Sequence, residues 1–279
     1  MVEDFADDAW VPGGPSLYSA FVAARLGAQV TLLTGLTDTY DRSALAGLTV
    51  IGIPARSLPR YENRYNAAGE RTQILRELGQ PLPARIIRET AQRLMPDVIL
   101  LAPAYHEIES LPDITSASDV VGVSLQGAFR AVVDFHVYPD RLPGPRIRRH
   151  LLPGCWAFFS VEDAGDAEDA CHAAELITGA GASVCVTDGE RGVTIVHGSA
   201  GGQTRTHFDA IPATSVVDPT GAGDTFAASF LIRLAECGDE LTALRFALAA
   251  SSLAVEGMGI HAIPTRAAIE SRAQMAGAV

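Results

Sequence analysis

In the stretch VVDPTGAGDTFAASFLIRLAE, residues 216–236, a glycine-flanked turn delivers a carboxylate onto the start of an apolar helix. Gly221, Ala222 and Gly223 let the backbone turn tightly and bring its N–H groups close to a ligand. The helix that follows offers unpaired N–H groups and the positive end of its dipole, a combination that favours an anion. A carboxylate beside that anion repels it, so Asp224 adds nothing to binding. It makes chemical sense as a base that takes a proton from a hydroxyl attacking a phosphoryl group. Aspartate is also a common helix N-cap, and this segment alone leaves both roles open.

The frame that must position this turn is bounded by composition. The 279 residues, 48% of them hydrophobic, suit one large α/β domain with a small appendage. No run approaches the roughly 18 consecutive apolar residues of a membrane helix. The opening MVEDFADDAW lacks a signal peptide's basic-then-apolar order, so cytoplasmic residence is expected. Cys155, Cys171, Cys185 and Cys237 form no CxxC pair and read as reduced thiols, outside any zinc site or disulfide framework. The net charge of −12 argues against nucleic acid or an anionic membrane as partner. One local anion site still suffices for a nucleotide.

Short β-branched runs alternate with helical patterns. Strands are expected near 30–34, 98–101, 120–124, 157–161, 184–187 and 193–197, and helices near 16–26, 84–94, 167–179, 223–235, 241–256 and 266–275. Such alternation indicates a mostly parallel sheet covered on both faces, with ligands gathered beyond the carboxyl ends of its strands. The interval from 50 to about 78 breaks the rhythm: it is polar, arginine-bearing and without a helix. It reads as a small antiparallel flap, either a lid or an ordinary hairpin.

VVDPTGAGDTFAASF resembles the C-terminal signature of the ribokinase-like (PfkB) carbohydrate kinases, in which a D-T-x-G-A-G-D turn forms the anion hole and its last aspartate is the base. Gly13-Gly14 and the helix ending Ala23-Ala24-Arg25-Leu26-Gly27-Ala28 resemble the family's N-terminal GG…A…LGA segment, and Val186-Thr187-Asp188-Gly189-Glu190-Arg191-Gly192 resembles its nucleotide loop. Three details are most similar to the myo-inositol kinase branch. Tyr18 stands where sugar kinases commonly carry asparagine. Glu62-Asn63-Arg64-Tyr65 resembles the branch's lid segment, and residues 124–130, SLQGAFR, its D-x-Q-G-F-x-R stretch with Ser124 for the aspartate.

The resemblance implies a ribokinase-like three-layer α/β/α sandwich over residues 1–279, with residues 50–78 in a small β lid. It implies transfer of the γ-phosphoryl group of ATP, with Mg2+, to a hydroxyl of a small polyol or sugar, inositol-like. Asp224 becomes the general base, and Gly221, Ala222 and Gly223 the anion hole. Thr187, Gly189 and Gly192 line the nucleotide, unless they only form the β-turn that Asp-Gly sequences favour. Ser160 and Asp163 stand at the family's N-x-x-E, Asp163 as the metal-side carboxylate; the same pair can instead cap a helix. Gly14, Asn63 and Gln126 face the substrate by position, while Arg130 and Arg64 suit phosphate oxygens. Lid strands of this family can pair between subunits, which leaves a homodimer open. The competing readings are a kinase of another sugar or a nucleoside, and a catalytically weak sugar-binding pseudokinase.

The family's first central strand and its substrate-binding aspartate precede the double glycine. Here only twelve residues precede Gly13, too polar and acidic for that strand. Either the sequence continues upstream or the sheet lacks a strand. Asp4, Asp7 and Asp8 are present, and none can be matched to the missing aspartate from sequence.

Overall fold

The computed structural model describes residues 1–6, 9–65, 71–108, 110–140, 144–199 and 202–277. Its strands are β1 (Val2–Ala6), β2 (Ala9–Gly13), β3 (Thr31–Leu36), β4 (Thr49–Pro54), β5 (Arg60–Tyr65), β6 (Arg71–Glu77), β7 (Val98–Leu101), β8 (Val120–Ser124), β9 (Arg130–Val133), β10 (His136–Pro139), β11 (Trp156–Ser160), β12 (Ser183–Thr187), β13 (Val193–Ser199) and β14 (Gly202–Phe208). Its helices are α1 (Pro15–Arg25), α2 (Ala84–Leu94), α3 (Gly144–Arg149), α4 (Val161–Ala164), α5 (Ala167–Gly179), α6 (Ala222–Cys237), α7 (Glu240–Ala254) and α8 (Arg266–Ala276).

The central sheet runs β14-β13-β12-β11-β8-β7. The four strands β7, β8, β11 and β12 are parallel, and β13 and β14 are added antiparallel. Burial on both faces explains why these strands are apolar throughout. Along β11, Ala157 and Phe159 pack with Ile87, Ala91, Ala173 and Ile177 of α2 and α5. Phe158 between them packs on the other face with Phe226, Phe230 and Leu231 of α6 and Leu244 of α7. The period of two thus divides one run between two cores. Phe230 is fully buried, and burial of such a side chain contributes about 1.5–3 kcal/mol.

The polar opening does stay out of this sheet, but it is not loop. β1 pairs antiparallel with β2 and parallel with β5, and belongs to a second sheet of order β2-β1-β5-β6-β10-β9. An ion pair from Arg60 to the buried Glu3, 2.7 Å, lets this acidic strand form. Asp7 and Asp8 lie outside the described residues. Among the described residues no strand connects β7 to β3, and β3 with β4 forms a separate two-stranded sheet.

The flap boundary needs correction. Residues 49–54, TVIGIP, are not flap: they pair in parallel with β3 from Thr31↔Thr49 to Leu36↔Pro54. The flap hairpin is β5–β6, antiparallel, and residues 66–70 within it lie outside the described residues. The sheet it joins is larger than expected, because β1, β2, β9 and β10 extend it to six strands. Among the described residues no helix is long and apolar enough to cross a membrane.

Candidate functional site

Before α6 the chain makes a locked turn. The N–H groups of Val217 and Asp218 donate to the Val255 carbonyl, and the Asp218 carboxylate accepts the Thr220 N–H at 2.9 Å. Gly221 then adopts φ +79°, a conformation glycine takes without a Cβ penalty, and is itself the N-cap of α6. No side chain caps this helix, so Asp224 is three residues inside it and does no capping. The Ala222 N–H, expected to face an anion, donates instead to the Pro219 carbonyl at 3.2 Å and closes the turn. Gly223 is exposed, and a Cβ built on it meets no atom within 4 Å. Its N–H and that of Asp224 stand at the open end of a 16-residue helix.

Asp224 is half-buried, and its carboxyl is pushed up to about 7. Burial is the main cause, the nearby Asp163 carboxylate adds to it, and the Arg130 guanidinium opposes it. A carboxyl raised toward neutrality has the property a general base needs. Arg130 is held by a 2.9 Å bond from Nη1 to the Ala104 carbonyl, with its guanidinium 5.1 Å from the centre of the Tyr61 ring.

Beyond the carboxyl ends of β11 and β12 lies a cleft of about 410 Å³, lined by Ser160, Glu162, Thr187, Asp188, Gly189 and Arg191 among others. This is where an open parallel sheet places its ligands. Thr187, Gly189 and Ser160 thus line the same cleft. Gly192 is absent from that lining. A Cβ there would stand 2.1 Å from the Phe208 carbonyl oxygen, so packing against β14 explains its glycine. Asp188 and Arg191 pair across the turn at 2.6 Å.

Ser160 and Asp163 form a capping box on α4. The Asp163 N–H donates to Ser160 Oγ at 3.0 Å, and Asp163 Oδ2 accepts from Ser160 N at 2.9 Å and Oγ at 2.8 Å. The capping alternative is thus the one realised, and it occupies one oxygen of the carboxylate proposed for metal. Ser160→Ala is expected to cost about 1 kcal/mol of stability, read from urea unfolding. Among the described residues no group of three or more His, Cys, Asp or Glu is arranged to hold a metal ion.

At the start of α1, Gly14 takes φ +88° and caps the helix, and a Cβ on it would collide with Val2 at 2.6 Å. Asp4 is the residue sequence reasoning could not assign. In the β1–β2 register it faces Val11, so Gly13 is its diagonal neighbour, and its Oδ2 lies only 2.0 Å from where a Gly13 Cβ would be. The absent side chain at position 13 lets the carboxylate lean over the double glycine. Asn63 is committed within the flap, its Oδ1 accepting from Gln73 Nε2 at 3.0 Å. Arg64 is exposed and pairs with Glu62 at 2.5 Å. Gln126 opens a 3-10 turn after β8 and is half-buried.

Residues 156–266, which hold the cleft and the turn, match the pfkB family carbohydrate kinase profile. Across most of its length the chain superposes on a structure of Arabidopsis thaliana ribokinase complexed with ribose and ATP, with TM-score 0.69 and 20% identity, covering 95% of this chain and 88% of that one. The fold is ribokinase-like. A pyrophosphate-dependent kinase of the ribokinase family, complexed with a pyrophosphate analogue and myo-inositol, superposes with TM-score 0.69 and 18% identity over 97% and 96% of the two chains. In sequence, a ribokinase of Bacillus subtilis is 26% identical over 267 residues, 93% of this chain and 87% of that protein. An Arabidopsis thaliana ribokinase reaches 48% identity over only 60 residues, which are 21% of this chain and 16% of that protein. The profile match is confined to residues 156–266, and the superpositions, at 20% identity or less, show the fold.

Proposed function

We propose that the chain is a kinase that transfers the γ-phosphoryl group of ATP to a hydroxyl of a small polyol or sugar, with inositol the leading acceptor. The observation that carries this reading is Asp224: freed from capping, titrating near 7, and next to a glycine that faces open space. In this reading Asp224 accepts the proton of the attacking hydroxyl, and the N–H groups at the start of α6 stabilise charge on the transferred group. Thr187, Gly189 and Ser160 line the donor, and Arg130 offsets negative charge beside the base. Asp4 and the Gly13-Gly14 backbone hold acceptor hydroxyls, with Asn63 and Gln126 alongside. The flap sheet serves as the lid.

Mg2+, which the fold implies, keeps several waters and asks for one or two carboxylates besides the phosphates. The residues present fit that outer-sphere role: Asp163 offers its second carboxylate oxygen while Oδ2 caps α4. When bound, the ion neutralises phosphate charge.

Support for a polyol acceptor comes from the neighbour complexed with myo-inositol, and for ATP from the neighbour complexed with ribose and ATP. The former is pyrophosphate-dependent, so the deciding assay supplies both donors. A coupled screen of polyols, sugars and nucleosides is expected to show turnover with ATP and myo-inositol. Turnover with ribose or a nucleoside alone moves the acceptor assignment. Acceptor binding without turnover across the panel makes the chain a sensor.

The pH dependence follows from the base. Asp224 works deprotonated, so kcat/KM is expected to fall about tenfold per pH unit below about pH 7 and to level off above it. Asp163→Asn removes a charge that raises the Asp224 carboxyl, so this limb moves to lower pH. A profile from pH 5 to 9 for both proteins checks the sign; an unmoved or upward-shifted limb counts against it.

A further inference from the structure

Tyr18 stands at the junction of the two halves of the site. It lies in the first turn of α1, and its N–H donates to the Gly14 carbonyl at 3.2 Å, which ties it to the double glycine of the acceptor side. Its ring lies flat against the anion turn: a Cβ on Gly221 would be 2.4 Å from Cδ1, 2.7 Å from Cε1 and 3.0 Å from Cγ. The hydroxyl end reaches toward the segment after α7, 3.8 Å from where a Gly259 Cβ would stand. One aromatic side chain, carried on α1 four residues after its Gly14 N-cap, therefore abuts residue 221 and reaches toward residue 259.

The contact gives Gly221 a second reason to be glycine, besides its φ of +79°. Backbone bonds close the turn, but two glycines in three residues leave it no side chain of its own to pack beside Gly221, glycine being the most permissive residue. The Tyr18 ring, with only two side-chain torsions and a helix backbone behind it, supplies the missing rigid wall. Burial pushes its phenol up to about 12, with the Asp218, Asp4 and Asp224 charges adding to the effect. The ring therefore stays neutral throughout the working range and brings no competing charge to the turn.

We propose that Tyr18 is a positioning residue: its ring braces Gly221, at the head of the turn, against α1, so that transfer depends on the ring although the ring moves no proton. The inference rests on the kinase reading for its catalytic consequence, but the bracing itself does not.

The test uses the full chain with Tyr18→Ala and Tyr18→Phe. Amide hydrogen exchange of residues 216–226 is expected to speed up about tenfold or more in Tyr18→Ala and to stay within about twofold in Tyr18→Phe. With the acceptor that the unsubstituted protein turns over, Tyr18→Ala is expected to lower kcat about 10²-fold, the scale of a misplacement near 1 Å. Both KM values stay within about threefold, and Tyr18→Phe restores kcat. Gly221→Ala is expected to cost less kcat in the Tyr18→Ala background than alone, because the collision is gone. Unchanged exchange in Tyr18→Ala, a loss confined to KM, or a Phe variant as impaired as Ala each overturns the proposal. If the unsubstituted protein turns over nothing, the kinase reading fails, and the exchange arm still decides the bracing.

Discussion

Asp224→Asn is expected to lower kcat by about 10²–10⁴-fold, the range of a lost general base, with the KM for the phosphoryl donor within a few-fold. The substitution is isosteric and keeps residue 224 three positions inside α6, whose N-cap is Gly221. No cap is removed, so the helix should not weaken. Linkage reinforces this. The carboxyl titrates near 7 in the folded chain against 3.8 as reference, so its ionisation opposes folding progressively from about pH 4 to about pH 7. Asparagine carries no such charge. At pH 8 the variant is therefore expected to melt no lower than the unsubstituted protein. Steady-state kinetics and a melting curve at pH 8 check both halves. Near-normal turnover removes Asp224 from the mechanism, whatever the melting curve shows.

The turn and the helix start behind it were legible in the sequence because their determinants are local. Two glycines and an aspartate in four residues, ahead of an apolar helix, carry their meaning wherever the chain folds. The helices Ala84–Leu94 and Ala167–Gly179 were legible for the same reason, and their observed ends coincide with those read from the pattern. The Ser160-x-x-Asp163 spacing was ambiguous, since a capping box and a phosphate-side carboxylate need the same residue types; only the bond from Asp163 Oδ2 to the Ser160 N–H separates them.

What escaped is non-local. β1 is acidic, and its formation depends on Arg60, 57 residues on from Glu3. The placement of Asp4 over Gly13 follows from a hairpin register that no local pattern encodes. β4 was misplaced in the flap because a run of TVIGIP declares that it will be a strand but not which sheet it joins; the parallel partner β3 decides that. Gly192 and Gly189 look alike in the sequence. One is pressed against the Phe208 carbonyl and the other lines the cleft, a distinction made entirely by β14.

Gly223→Leu is expected to lower kcat by about 10²–10³-fold, the cost of losing an oxyanion-type donor, while leaving the melting temperature within a few degrees. The two effects separate because of where this glycine sits. It lies in the first turn of α6, where a built Cβ has open space around it, so substitution starts without a collision. Leucine is also the better helix former by several tenths of a kcal/mol, which offsets any loss of solvation. The leucine instead crowds the start of α6, where the kinase reading seats the transferred phosphoryl group. Gly221 supplies the contrast. Alanine there is strained at φ +79° and collides with Tyr18, so Gly221→Ala should cost about 1–3 kcal/mol of stability as well as activity. Kinetics paired with urea unfolding on both variants distinguishes a blocked anion site from a damaged turn. If Gly223→Leu keeps its kcat, the anion does not bind at the start of α6, and the role of Asp224 as base loses its geometric basis.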